Sequence, residues 1–129
     1  MSHHVVVAAT HHKFSQVLEF FARFKVHHIP VTDDDSVIGI ISAKDVIKHL
    51  YRHLETHEWC TSLAQLDEDV PIETLMTPDP MTIGPGEPVE RAAQLFKSHS
   101  FHSLPVIQDG KIRGIITTKD IAKHVILSH

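Results

Sequence analysis

The sequence has a single cysteine, Cys60, which rules out an intrachain disulfide and a cysteine-based zinc cluster. A lone thiol suits a reducing compartment, so a cytoplasmic location is the expectation. No apolar run reaches the roughly 20 residues that a membrane-crossing helix needs. A secretory signal is also missing. His3 and His4 stand where it would carry positive charge, and apolar residues 5–9 are too short for its core. Positive charge is in deficit: the formal net charge is −4, which argues against broad nucleic-acid binding through Lys and Arg on phosphates. The usual catalytic signatures do not occur either. There is no Gly-x-Ser-x-Gly elbow and no phosphate-loop Gly-Lys-Ser/Thr, and Cys60 beside Trp59 sits in no nucleophile motif. Gly84-Pro85-Gly86 lacks the spacing of a dinucleotide fingerprint and suits a turn. A binding module, not an enzyme, is expected.

What is there points to an ordered fold. The 129 residues are 42% hydrophobic, enough for one core-forming domain. The 13 histidines are the oddity, since protonating them would reverse the sign of the net charge in mild acid. The simplest reading is a compositional bias of the surface.

The dominant signal is an internal repeat. With Pro30 laid on Pro105, the halves align without a gap. His27-His28-Ile29-Pro30-Val31 then meets His102-Ser103-Leu104-Pro105-Val106. Gly39-Ile40-Ile41-Ser42-Ala43-Lys44-Asp45 meets Gly114-Ile115-Ile116-Thr117-Thr118-Lys119-Asp120, and Lys48-His49 meets Lys123-His124. In the second half, Met81-Thr82-Ile83 reads as a short strand ended by the Gly-Pro-Gly turn. Pro88 opens a helix, where its missing N–H costs nothing. Val89, Ala92, Ala93 and Phe96 recur at helical spacing. Residues 103–108 and 111–117 read as a hairpin across Asp109-Gly110, and 118–127 as a closing helix. The first half repeats the order: strand 5–9, helix 14–25 with Val17, Leu18, Phe21 and Phe24 inward, strands 29–32 and 37–41 joined at Asp33-Asp34-Asp35, and a helix from Ala43. Ser42 and Thr117 stand at the N-caps.

The expected fold is therefore α/β (α+β): two tandem β-α-β-β-α repeats packed with pseudo-twofold symmetry around one core. Repeat 1 spans 1–54, a connector 55–75 and repeat 2 76–129. In the connector, 55–60 extends the preceding helix, Ser62-Leu63-Ala64-Gln65 has a capping-box pattern, Asp67-Glu68-Asp69 reads as a solvated turn, and Pro71 opens a short helix through Leu75.

These features resemble the CBS domain, named after cystathionine β-synthase. The resemblance rests on Leu75-Met76-Thr77-Pro78, Pro88-Val89-Glu90-Arg91-Ala92-Ala93, Leu104-Pro105-Val106-Ile107-Gln108-Asp109-Gly110, and Gly114 through Ile121. It covers nearly the whole chain outside the connector. It implies paired units that bind adenosine-containing ligands such as AMP, ADP, ATP or S-adenosylmethionine as regulatory ligands, not catalytic cofactors. Two such pairs often assemble into a disk, so a homodimer is expected. Ligand state would pass to an effector protein, with neither nucleic acid nor membrane as partner. The first half departs from the pattern: Lys13 replaces the helix-opening proline, and Thr10-His11-His12 replaces a Pro-Gly-Glu type turn.

The chemistry of Gly-x-x-Ser/Thr-x-x-Asp supports such a site. Glycine permits close backbone approach, the hydroxyl and helix N-terminal N–H groups suit a phosphate, and a carboxylate can accept from both ribose hydroxyls. By resemblance, Thr117 lies near phosphate and Asp120 on ribose, with Thr118 and Lys119 between them; Ser42, Lys44 and Asp45 are the first-half counterparts. Thr82, Ile83, Leu104 and Pro105 would line an adenine slot, as would Ala8, Ile29 and Pro30 in the first half. His28, His102 and Ser103 lie beside these strands, and His102, Arg113, Lys44 and Lys119 could neutralise phosphate. Of the two sites, the one at Asp120 is expected to be the better. The plainer readings are helix caps and core packing. Two further alternatives stand. One is a dimerisation module without a ligand. The other is a metal sensor using His49, His53 and His57, spaced i, i+4, i+8.

Overall fold

Two β-hairpins organise the chain, and both follow from local chemistry. In this computed structural model, which describes residues 5–56 and 63–128, strand β2 (His28–Asp33) turns directly into β3 (Ser36–Ser42), and β5 (Ser103–Gln108) into β6 (Lys111–Thr117). Each loop has two residues with positive φ: Asp34 (47°) and Asp35 (69°) in the first, Asp109 (54°) and Gly110 (76°) in the second. That pattern gives the turn whose twist matches antiparallel strands. The hairpins repeat residue for residue. Ile29 faces Ile41 as Leu104 faces Ile116, Val31 faces Gly39 as Val106 faces Gly114, and both pairings shift register directly after that last pair. The residue left over at the shift is Ile38 in β3 and Arg113 in β6.

The remaining elements run β1 (Ala8–Ala9), α1 (Phe14–Arg23), α2 (Ala43–Thr56), α3 (Leu63–Asp69), α4 (Ile72–Leu75), β4 (Thr77–Pro78), α5 (Val89–Ser98) and α6 (Thr118–Ser128). The chain divides into two units, one of residues 6–79 and one built on residues 80 onward. The first carries a four-stranded sheet in the order β1-β2-β3-β4, the second the β5-β6 pair. Each has its own cluster of buried side chains. Phe14, Val17, Ile29, Val31, Ile41, Val46, Leu66, Ile72 and Leu75 belong to the first, and Ile83, Ala92, Leu95, Leu104 and Val106 to the second.

Several expectations are corrected. The strand expected over 5–9 pairs only at Ala8–Ala9, beside Val31 and Thr32. Its counterpart, 81–83, is reduced to one parallel bridge between Ile83 and Val106, with Ile83 donating to the Pro105 carbonyl and accepting from the Ile107 N–H. Helix α1 stops at Arg23, so Phe24 leaves the apolar face and is 41% exposed. Leu95, which the periodicity omits, is buried on α5. Asp67-Glu68-Asp69 is not a turn but the end of α3. There Asp67 accepts from the Ser15 N–H and the Ser15 hydroxyl, both at 2.7 Å. Lys13, at the N-cap of α1, makes no side-chain cap bond, so Asp67 satisfies an orphan amide of that helix from 52 residues away. Strand β4 was also unforeseen. It pairs with Gly39 and Ile40, and Gly39 is needed there: a Cβ at that position would overlap Met76 Sδ and lie 2.7 Å from its Cγ.

Helix α2 extends through Thr56; the rest of the expected extension to residue 60, and the Ser62 cap, lie outside the described residues. Among the described residues no helix is long and apolar enough to cross a membrane.

Candidate functional site

The strand-to-helix corner of each hairpin holds the Gly-x-x-Ser/Thr-x-x-Asp motif. Its polar groups first serve the helix. In the first unit the Ser42 N–H donates to Asp45 Oδ2 (3.0 Å), and the Asp45 N–H donates back to Ser42 Oγ (3.1 Å). In the second, the Thr117 N–H donates to Asp120 Oδ2 (2.8 Å) and the Asp120 N–H to Thr117 Oγ1 (3.3 Å). These are reciprocal capping boxes with aspartate in place of glutamate. The caps differ in one proton. Thr117 Oγ1 also donates to Asp120 Oδ2 (3.2 Å), whereas Ser42 Oγ acts only as acceptor in its cap.

What remains unused defines what the corner can do. All the cap bonds to Asp120 end on Oδ2, so among the described residues Oδ1 keeps its full acceptor capacity; Asp45 is arranged in the same way. Of the first amides of α6, that of Thr118 donates to the His102 carbonyl (3.1 Å) and that of Asp120 to the cap. The Lys119 N–H has no acceptor among the described residues. It sits at the positive end of a helix dipole, next to an exposed lysine side chain. The Ala43 N–H likewise donates to the His27 carbonyl, which leaves the Lys44 N–H without an acceptor among the described residues. Each corner therefore presents a carboxylate oxygen and an amide N–H within one helical turn. That combination suits a group with vicinal hydroxyls and a nearby anion.

The other residues singled out in the sequence divide by burial. Ala8 and Ile29 in the first unit, and Ile83 and Leu104 in the second, are built into the cores. Pro30 and Pro105 are fully buried. Their side chains are committed to packing, so a ligand in contact with these strands would meet chiefly backbone. Ser103 is the buried polar residue of the second hairpin, 4% exposed and the register partner of Thr117. Its counterpart His28 faces Ser42. Thr82, His102, Arg113, Thr118, Lys119 and Lys44 are exposed. The structure thus joins Thr117, Asp120, Ser103 and the His102 carbonyl in one corner. Lys119 lies at that corner's rim, and Arg113 is four residues back along β6, at the register shift. The sequence pointed to the helix N-terminal amides as a group but not to that of Lys119 in particular, because the partners of backbone groups are not written in side-chain identities.

Of the histidines proposed for metal, His49 and His53 lie on α2, and His57 lies outside the described residues. Among those described, no three His, Cys, Asp or Glu side chains are grouped to hold a metal ion.

The sequence model of the CBS domain matches residues 1–52 and 70–127. Among curated proteins, an uncharacterized protein of Methanocaldococcus jannaschii is 27% identical over 121 residues, 93% of this chain and 43% of that protein. The inosine-5′-monophosphate dehydrogenase of Aquifex aeolicus is 26% identical over 86% of this chain and 20% of the enzyme. The chain thus spans less than half the length of these relatives. Among solved structures, a CBS domain pair in complex with 5′-methylthioadenosine and S-adenosyl-L-methionine superposes with a TM-score of 0.81 at 21% identity, covering 100% of this chain and 94% of that one. CBSX2 in complex with AMP gives 0.72 at 25% identity, covering 96% and 89%.

Proposed function

Since the chain belongs to the CBS domain family, we propose that it is a regulatory module that binds an adenosine-containing ligand at the corner formed by Thr117 and Asp120. The observation that carries this reading is the split use of the aspartate: Oδ2 caps α6, while among the described residues Oδ1 and the N–H of the preceding residue, Lys119, have no partner. In this reading Oδ1 accepts from the ribose hydroxyls. The Lys119 N–H and side chain, with His102 and Arg113, receive the anionic part of a nucleotide. Neighbours of the same fold carrying AMP, 5′-methylthioadenosine and S-adenosyl-L-methionine support the ligand class. The Asp45 corner, with the same capping geometry, is the second and weaker site. Bound ligand acts by favouring one arrangement of the module over another, which is how a ligand shifts the state of a partner. The module performs no catalysis itself. It works as a homodimer, a reading supported by Ile47 and Tyr51 on α2, 51% and 65% exposed.

Calorimetric titration with AMP, ATP, S-adenosyl-L-methionine and 5′-methylthioadenosine tests the proposal, with Asp120→Asn as the variant. Asparagine keeps an acceptor for the cap but loses the charge. Affinity should fall by roughly tenfold or more, the cost of a bond to a charged acceptor, while the fold persists. Equal affinity in the variant would refute the role of Asp120. No heat with any of the four would favour a dimerisation module without a ligand.

A further inference from the structure

The turn that leads into the first helix of each unit is closed by the same pair of bonds, made with different chemistry. In the second unit the Glu87 N–H donates to the Gly84 carbonyl (3.2 Å), and the Gly84 N–H donates to Glu87 Oε2 (2.5 Å). In the first, the His12 N–H donates to the Ala9 carbonyl (3.0 Å), and the Ala9 N–H donates to His12 Nδ1 (2.7 Å). In the repeat alignment Ala9 falls on Gly84 and His12 on Glu87, so an imidazole does in one repeat what a carboxylate does in the other. An N–H can donate to Nδ1 only while that nitrogen is unprotonated, because both ring nitrogens of a charged imidazole are donors. A carboxylate keeps accepting down to about pH 4, whereas a free imidazole charges near pH 6.5.

We infer that the β1–α1 turn of the first repeat is an acid-sensitive latch, closed by neutral His12 and released when His12 is protonated, while the corresponding turn of the second repeat stays closed through the same range. Among the described residues the surroundings give the charged ring no ion pair to offset the loss. His11 lies against it, ring centroids 4.5 Å apart, and would add a like charge. Lys13 follows in the chain. From α1, Phe20 makes a T-shaped ring contact with it at 5.2 Å; Glu19 on that helix is engaged with Arg23 (3.2 Å), and Asp67 on α3 with Ser15 (2.7 Å). Among the described residues no carboxylate is paired with His12. By contrast, Glu87 has Arg91 beside it at 3.8 Å. The latch sits directly after Ala8, which is fully buried in the core of its unit. Opening would therefore loosen the point where β1 leaves the sheet.

The test uses the full chain without ligand. Nitrogen-15 NMR of the imidazoles at pH 7.5 should show His12 Nδ1 unprotonated. Hydrogen exchange, corrected for its intrinsic pH dependence, should show Ala9 losing protection by roughly threefold to tenfold between pH 7.5 and 5.5, the weight of one hydrogen bond. Gly84 serves as the internal control and should hold steady. His12→Gln, which accepts through an amide oxygen at either pH, should abolish the change at Ala9. A protonated Nδ1 at pH 7.5 would overturn the inference. So would Ala9 tracking Gly84 across the range, or a glutamine variant as pH-dependent as the parent. The wild-type arms decide the matter even if the variant folds poorly.

Discussion

Replacing Asp67 with alanine removes the acceptor that α3 lends to the start of α1. Two bonds are lost, from the Ser15 N–H and the Ser15 hydroxyl, each 2.7 Å long and each made to a carboxylate. A hydrogen bond to a charged group contributes about 1.5–3 kcal/mol, and a negative charge at a helix N-terminus adds about 0.3–1 kcal/mol. The contact is only partly buried, so water recovers some of this. The expected net loss is about 2–3 kcal/mol, or roughly 6–15 °C in Tm for a chain of this length. Urea unfolding gives the free energy directly, provided the slope with denaturant stays unchanged. Three companions separate the contributions. Asp67→Asn keeps both partners without the charge and should cost about 1 kcal/mol. Ser15→Ala loses only the hydroxyl bond and should cost a similar amount, about 1 kcal/mol. Glu68→Ala, an exposed neighbour on the same helix, should stay within about 0.5 kcal/mol of wild type. The Ser15→Ala/Asp67→Ala double variant should show a coupling above about 0.5 kcal/mol. If Asp67→Ala unfolds within about 0.5 kcal/mol of wild type, the cap across the connector contributes nothing and the reasoning fails.

Asp35 occupies a positive-φ position where the other hairpin has Gly110; Asp35→Gly should stabilise by up to about 1 kcal/mol by removing the left-handed strain, read from the urea midpoint. Gly39→Ala should destabilise by about 1–3 kcal/mol because its Cβ collides with Met76, and adding Met76→Ala should cost less than the sum of the two changes. Phe14→Ala, in a fully buried site, should cost about 3–5 kcal/mol, while Phe24→Ala, two-fifths exposed, should cost under about 1 kcal/mol. Without ligand, Thr117→Ala should cost about 1 kcal/mol as a lost N-cap, measured by thermal unfolding.

Much of the fold was legible where the signal is local. The β5 and β6 bounds agree with the expectation because Asp109-Gly110 dictates a two-residue turn, and the turn sets the register of everything behind it. The caps at Ser42 and Thr117 were equally readable, since a hydroxyl three residues before a carboxylate closes on itself. Phe24 was misplaced because the 3.6-residue period continues in the sequence after the helix has ended. For the site, residue types were visible but their availability was not. Asp120 serves as both cap and candidate ligand, and only the hydrogen-bond pattern separates its two oxygens.

The sequence by itself determined the repeat, the second hairpin's turn and the capped corners, because turns, caps and periodicity act over a few residues; in the first hairpin Asp33, expected in the turn, pairs with Ser36. Tertiary structure decided which groups are already spent. It takes Asp67 from an acidic run to the amide of a helix 52 residues away. It lays Thr77–Pro78 against Gly39, and it buries Ile29 and Leu104 while leaving Lys119 exposed. These outcomes depend on surfaces meeting through space, and burial and hydrogen-bond partnership exist only once the chain has closed on itself.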